Sequence, residues 1–184
     1  MFLRASTPSL KAASLVFSLA VEGILGVSAT LHTFPWRREG VYRIARKVDF
    51  AMIFVGIALF YSSLGRLLLG AAPSFGMVEA AVWTCAAAGV ALKCVFLEAP
   101  RWLEASIFLA QGWAGVSLLP ALVAESPAVV AGGLCVTLGA VAYGMQWPNH
   151  PRHISLFGPH EVFHLSTVAC FLSFWWAMWM RVGL

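Results

Sequence analysis

Charge is what this chain has least of. Asp, Glu, Lys and Arg make up only 11% of its 184 residues, against 60% apolar residues, where an ordinary soluble domain carries about 25% charged residues. That balance excludes a soluble globular domain. The chain also lacks any internal repeat, any low-complexity tract and any linker long enough to separate domains. Its four cysteines, Cys85, Cys94, Cys135 and Cys170, lie inside apolar runs with no C-x-x-C spacing. They read as small buried residues, and the pattern argues against disulfides. The net charge of +4 is not gathered into one patch. It is therefore read through loop placement and not as affinity for nucleic acid.

What is abundant is apolar length. A spanning helix needs roughly 20 mostly apolar residues, so the chain has room for about six, with short connections and no extramembrane domain of any size. The expected fold class is an all-α integral membrane protein, one transmembrane helical domain over residues 1–184. Its spans are expected at about 12–34, 49–70, 77–97, 101–124, 127–147 and 159–181. Arg4 and Lys11 ahead of the first run imitate a signal peptide, but that run continues for about 22 residues, beyond the usual 7–15. Pro120 is expected to kink or end the fourth span. Gly132, Gly133, Gly139 and Gly144 give the fifth a small-residue surface that lets neighbours approach.

Each span reverses direction, so parity sorts the polar residues by membrane face. His32 ends the first span, Asp49 begins the second, and His160 and His164 begin the sixth. All four are expected at one face. The loops on that side, 35–48, 98–101 and 148–159, hold Arg37, Arg38, Arg43, Arg46, Lys47, Arg101 and Arg152. The positive-inside rule then puts the histidine face in the cytosol and the N-terminus outside. Trp36, Trp102 and Trp147 are expected at the inner interface, and Trp175, Trp176 and Trp179 towards the outer one.

His160 and His164 are four residues apart, about one helical turn, so they share a face. Paired imidazoles there suit zinc, which takes neutral ring nitrogens and in catalytic sites keeps one position for water. With His32 as a third ligand, the metal would acidify that water to a pKa of about 7. Asp49 is placed to orient the water or take its proton. Ser28, one turn before His32, is placed to hydrogen-bond the water or a substrate oxygen.

The blander readings are specific. A lone histidine at a helix end is commonly an interfacial residue, and Asp49 alone reads as a carboxylate complementing the dipole of a helix start. His150 and His153 read as solvated loop residues. Glu22, ten residues before His32, lies about 15 Å away along a helix and cannot reach the same metal. It is expected to line a polar cavity or to pair with Arg66 or a backbone group. The pentapeptide HEVFH also spells the H-E-x-x-H of zinc proteases, with Glu161 as general base. No histidine, aspartate or glutamate follows His164, so the downstream third ligand of common zincins is missing.

Ser28 and His32 as S-x-x-x-H, then VDF at 48–50, then FGPHEVFH at 157–164, resemble the progestin and adipoQ receptor and hemolysin III superfamily. The basic loop between His32 and Asp49 and the small-residue span ending AYGMQWP match as well. The resemblance covers about residues 15–180 and implies a zinc site near the cytosolic helix ends, with His32, His160 and His164 as ligands and Asp49 and Ser28 around the metal water. It implies receptors for progestins or adiponectin, zinc-dependent ceramide hydrolysis in some members, and haemolysis as the source of the bacterial name. Such proteins usually have seven spans, and the first is expected to be missing here. The leading expectation is a zinc-dependent hydrolase of a ceramide-like lipid amide. The alternative is a receptor or sensor for a lipid or protein ligand with a structural zinc, and the third an intramembrane metalloprotease. No docking segment for signalling partners is evident, and the expected partners are the lipid bilayer and a ceramide or other lipid ligand, with no nucleic acid.

Overall fold

The computed structural model describes residues 5–95, 99–148 and 157–183. Arg4, His150, Arg152 and His153 lie outside the described residues. The chain is helical throughout, with no strand among the described residues. It divides into two compact units, residues 1–98 and 99–184. Among the described residues, five helices are long and apolar enough to cross a membrane, or six if one bent pair forms a single span. This is a multi-pass membrane protein.

In the first unit, α1 runs Pro8–Thr33, starting before the apolar run because Thr7 and Pro8 form a start signal. The Thr7 hydroxyl accepts from the Leu10 N–H at 3.3 Å, and proline occupies the first turn, where its missing N–H costs nothing. The second helix, α2, runs Glu39–Leu69, ten residues ahead of the start expected at Asp49. Asp49 therefore sits inside the helix, about 15 Å from its N-terminus, too far to serve as a dipole partner. The helix carries a π-helical turn at Tyr61–Gly65.

The third helix, α3, runs Phe75–Val95 and buries Phe75, Glu79, Val82, Ala86, Gly89 and Lys93, alternating steps of four and three that make one stripe. Gly89 is part of the reason α2 fits there: a Cβ on it would stand 2.4 Å from the Phe54 ring. The stripe carries two charged residues, Glu79 near its start and Lys93 at its end. Glu79 pairs with Arg66 and accepts from the Ser62 hydroxyl at 2.8 Å, and Trp83 Nε1 donates to Ser62 Oγ at 2.9 Å. Arg66 is thus engaged by Glu79, not by Glu22. Glu22 is exposed.

The second unit contains α4 (Arg101–Gly112), α5 (Leu119–Glu125), α6 (Pro127–Gly144) and α7 (Pro159–Gly183). The first two form the bent pair, at 44°. Pro120 does not make the bend. It lies in the first turn of α5, and the break precedes it at Trp113–Gly115, where Trp113 Nε1 donates to Thr137 Oγ1 at 3.0 Å. Small residues let α6 approach α7: a Cβ on Gly139 would stand 2.5 Å from Ser166 Cβ. Burial as expected for the cysteines holds for Cys170, whereas Cys85 and Cys94 are exposed and Cys135 is half-buried.

Candidate metal centre

The first turn of α7 fixes the two histidines. Pro159 starts the helix, Glu161 Oε2 accepts from the Gly158 N–H at 2.9 Å, and the Val162 N–H reaches the Gly158 carbonyl at 3.1 Å. A glutamate at the third helical position reaching back to the residue before the helix is half of a capping box. This gives Glu161 a structural task on an exposed side of the helix, away from a metal-facing role.

His160 and His164 are both half-buried. Their rings lie edge to face, with centroids 4.4 Å apart and planes at 88°, and their Nε2 atoms approach to 3.0 Å. Two imidazole nitrogens bound to one zinc at about 2.0–2.1 Å with tetrahedral angles stand about 3.3–3.4 Å apart. The pair is thus within a few tenths of an ångström of the chelating separation, which a small ring rotation supplies. Without a metal, one Nε2 must carry the proton of that contact. With one, both Nε2 atoms would present lone pairs, that proton having moved to Nδ1.

Two residues beside the pair were invisible in the sequence as site residues. The Tyr143 ring on α6 lies 6.2 Å from the His160 ring and 5.7 Å from Phe163, and the Arg101 guanidinium sits over the Tyr143 ring at 5.5 Å. Arg101 enters the sequence only as a charge in a loop count, and Tyr143 as one aromatic in a small-residue run. Their signal is positional: both fall at the end of a span on the expected histidine face.

In the first unit, His32 lies in the last turn of α1, exposed, with Ser28 half-buried one turn earlier. The chain leaves α1 under control: the Phe34 N–H bonds the Thr30 carbonyl at 3.1 Å, and Trp36 Nε1 turns back onto the Leu31 carbonyl at 2.8 Å. The α1/α2 register follows from two close approaches, Gly23 to the Met52 methyl and Gly56 to the Ile24 side chain. Asp49 shares the stripe of Met52 and Gly56, at steps of three and seven. Counting 1.5 Å per residue from either approach puts Asp49 level with about residues 26–31 of the antiparallel α1, the level of Ser28. Lys93 lies in the last turns of α3, only 4% exposed, its Nζ 4.2 Å from the centre of the Phe50 ring. Lys47 Nζ donates to the Cys94 carbonyl at 2.6 Å. A buried lysine therefore accompanies the residue next to Asp49.

The three histidines are divided between the units, His32 at the end of α1 in the first and His160 and His164 at the start of α7 in the second. Over residues 1–175 the chain matches the haemolysin-III related family. It belongs to that family. The match spans Ser28, His32, Asp49, His160 and His164 alike, so the histidines of both units fall within the haemolysin-III related region. As a membrane protein the chain contacts the lipid bilayer, and its described helices carry exposed apolar residues such as Leu15, Leu19, Leu138 and Leu172.

Proposed function

We propose that His32, His160 and His164 hold a zinc ion at the cytosolic face and that the site hydrolyses the amide bond of a ceramide-type lipid. The observation that carries this reading is the His160–His164 pair, two half-buried imidazoles with Nε2 atoms 3.0 Å apart, a donor set that suits zinc better than magnesium or calcium, which prefer oxygen. Zinc bound there supplies a Lewis acid and a water acidified towards neutrality. Around it, the Asp49 carboxylate takes the proton of the attacking water and returns it to the leaving amine. The Ser28 hydroxyl, at the same level of α1, donates to the substrate oxygen and holds it for attack. Tyr143 lies beside His160, with the Arg101 guanidinium over its ring, and a phenol and a guanidinium there suit the polar head of a lipid whose chains remain in the bilayer.

The cytosolic placement rests on the basic stretch Arg37–Lys47, at the N-terminal end of α2 and adjoining this face. The capping task and exposure of Glu161 weigh against the protease reading. The test is zinc content by mass spectrometry and fatty-acid release from ceramide by the purified full chain, wild type beside His160→Ala. Stoichiometric zinc with acyl release, both lost in His160→Ala, is the expected result. Stoichiometric zinc without release from any ceramide overturns the hydrolase and leaves the receptor or sensor with a structural zinc.

A further inference from the structure

The helix α2 is longer than a bilayer core requires. Its 31 residues extend about 46 Å at 1.5 Å per residue, against about 30 Å of hydrocarbon, so roughly ten residues lie in the headgroup zones. The polar surplus is at the N-terminal end. Residues 37–47 hold Arg37, Arg38, Arg43, Arg46 and Lys47 against the single acid Glu39, five minus one, so this stretch alone carries +4, as much as the whole chain. Lys47 is engaged by the Cys94 carbonyl, whereas Arg37, Arg38 and Arg43 are exposed.

The same turns carry an exposed apolar stripe. Val41, Ile44 and Val48 are 45%, 62% and 46% exposed at steps of three and four, one side of the helix, and Arg43 points roughly opposite at 100° per residue. Below them Phe34, Trp36 and Tyr42 form an aromatic group, with ring centroids 4.8 and 6.4 Å apart, the residue type that marks a membrane–water interface.

We propose that residues 36–48 form a binding surface for anionic phospholipids, the headgroup phosphates meeting Arg37, Arg38 and Arg43 and the acyl chains covering Val41, Ile44 and Val48. A soluble polyanion would satisfy the guanidinium groups and leave the stripe in water. A zwitterionic lipid would cover the stripe and leave +4 without net compensation. An anionic amphiphile satisfies both. This surface does not depend on the metal reading.

The test is native mass spectrometry of the full chain in detergent, titrated with phosphatidylglycerol or phosphatidylcholine of identical acyl chains. Each basic residue near an anionic surface is worth about five-fold in binding, so the Arg37→Gln, Arg38→Gln, Arg43→Gln variant is expected to lose most of a ten-fold or greater preference for phosphatidylglycerol. Lysine at the same three positions restores it. Raising salt weakens the wild-type preference, as screening requires, and this arm decides the matter if the glutamine variant does not fold. Glycerophosphoglycerol, the headgroup without chains, is expected not to compete. Equal binding of the two lipids, a preference untouched by the glutamine variant or by salt, or competition by the bare headgroup as strong as by the lipid would each overturn the proposal.

Discussion

His164→Ala removes one imidazole from the pair that carries the metal reading. The two Nε2 atoms are 3.0 Å apart, so both must bind one ion for either to matter. Loss of an outer-shell partner alone costs roughly 10–100-fold in metal affinity, and loss of a ligand is expected to cost about 100-fold or more. The consequence for stability follows by mass action. At free zinc 100 times the wild-type Kd, the ion stabilises the fold by about 2.7 kcal/mol, and at that concentration a 100-fold weaker variant gains only about 0.4 kcal/mol. The difference of about 2.3 kcal/mol is read as the zinc-dependent part of the unfolding midpoint in detergent. Without zinc, the half-buried His164 gives up one imidazole contact, so wild type and variant are expected to differ by about 1 kcal/mol or less in chelator. Competition with a chelator of known affinity measures the Kd shift independently. Equal zinc affinity in wild type and His164→Ala, or a variant as destabilised in chelator as in zinc, would refute the reasoning.

Asp49→Asn keeps the shape of the side chain and removes its base, so ceramide hydrolysis is expected to fall by about 10²–10⁴-fold while zinc content stays near one per chain. Loss of zinc together with activity would instead make Asp49 a ligand. Glu161→Gln can still accept from the Gly158 N–H, and we expect zinc content and acyl release within a few-fold of wild type and a stability change of at most about 1 kcal/mol; abolition of peptide cleavage by this variant would return the protease to first place. Gly139→Ala places a methyl group 2.5 Å from Ser166 Cβ, an atom that cannot swing aside. It is expected to lower stability by about 1–3 kcal/mol, read from the unfolding midpoint, and to weaken zinc binding because Ser166 lies two residues from His164. An unchanged midpoint would mean that α6 and α7 are not held at this approach.

Apolar length was the most legible signal, and for a physical reason: hydrocarbon demands it, so Pro127–Gly144 and Pro159–Gly183 stand out as runs whatever they pack against. Hydropathy is blind wherever a helix leaves the hydrocarbon. That is why α2 begins at Glu39 and not at Asp49: residues 39–48 are helical but too charged to register as span. It is equally blind to interruptions within an apolar run. The π-helical turn at Tyr61–Gly65 has no composition of its own, and the bend at Trp113–Gly115 lacks the proline that would announce it, while Pro120 sits where a helix start tolerates it. The site divides in the same way. His160 and His164 were readable because their chemistry is written in one turn of helix, at a spacing any helix preserves. Tyr143, Arg101 and Lys93 were not, since each acquires a neighbour only when a second helix arrives: Tyr143 beside His160 and Arg101, Lys93 against Phe50. The glycines bear on this more than any polar motif does. Gly89 brings α3 against Phe54, and Gly139 brings α6 against Ser166. With bulkier side chains at those two positions the polar residues would keep their spacing in the sequence and lose their company in space.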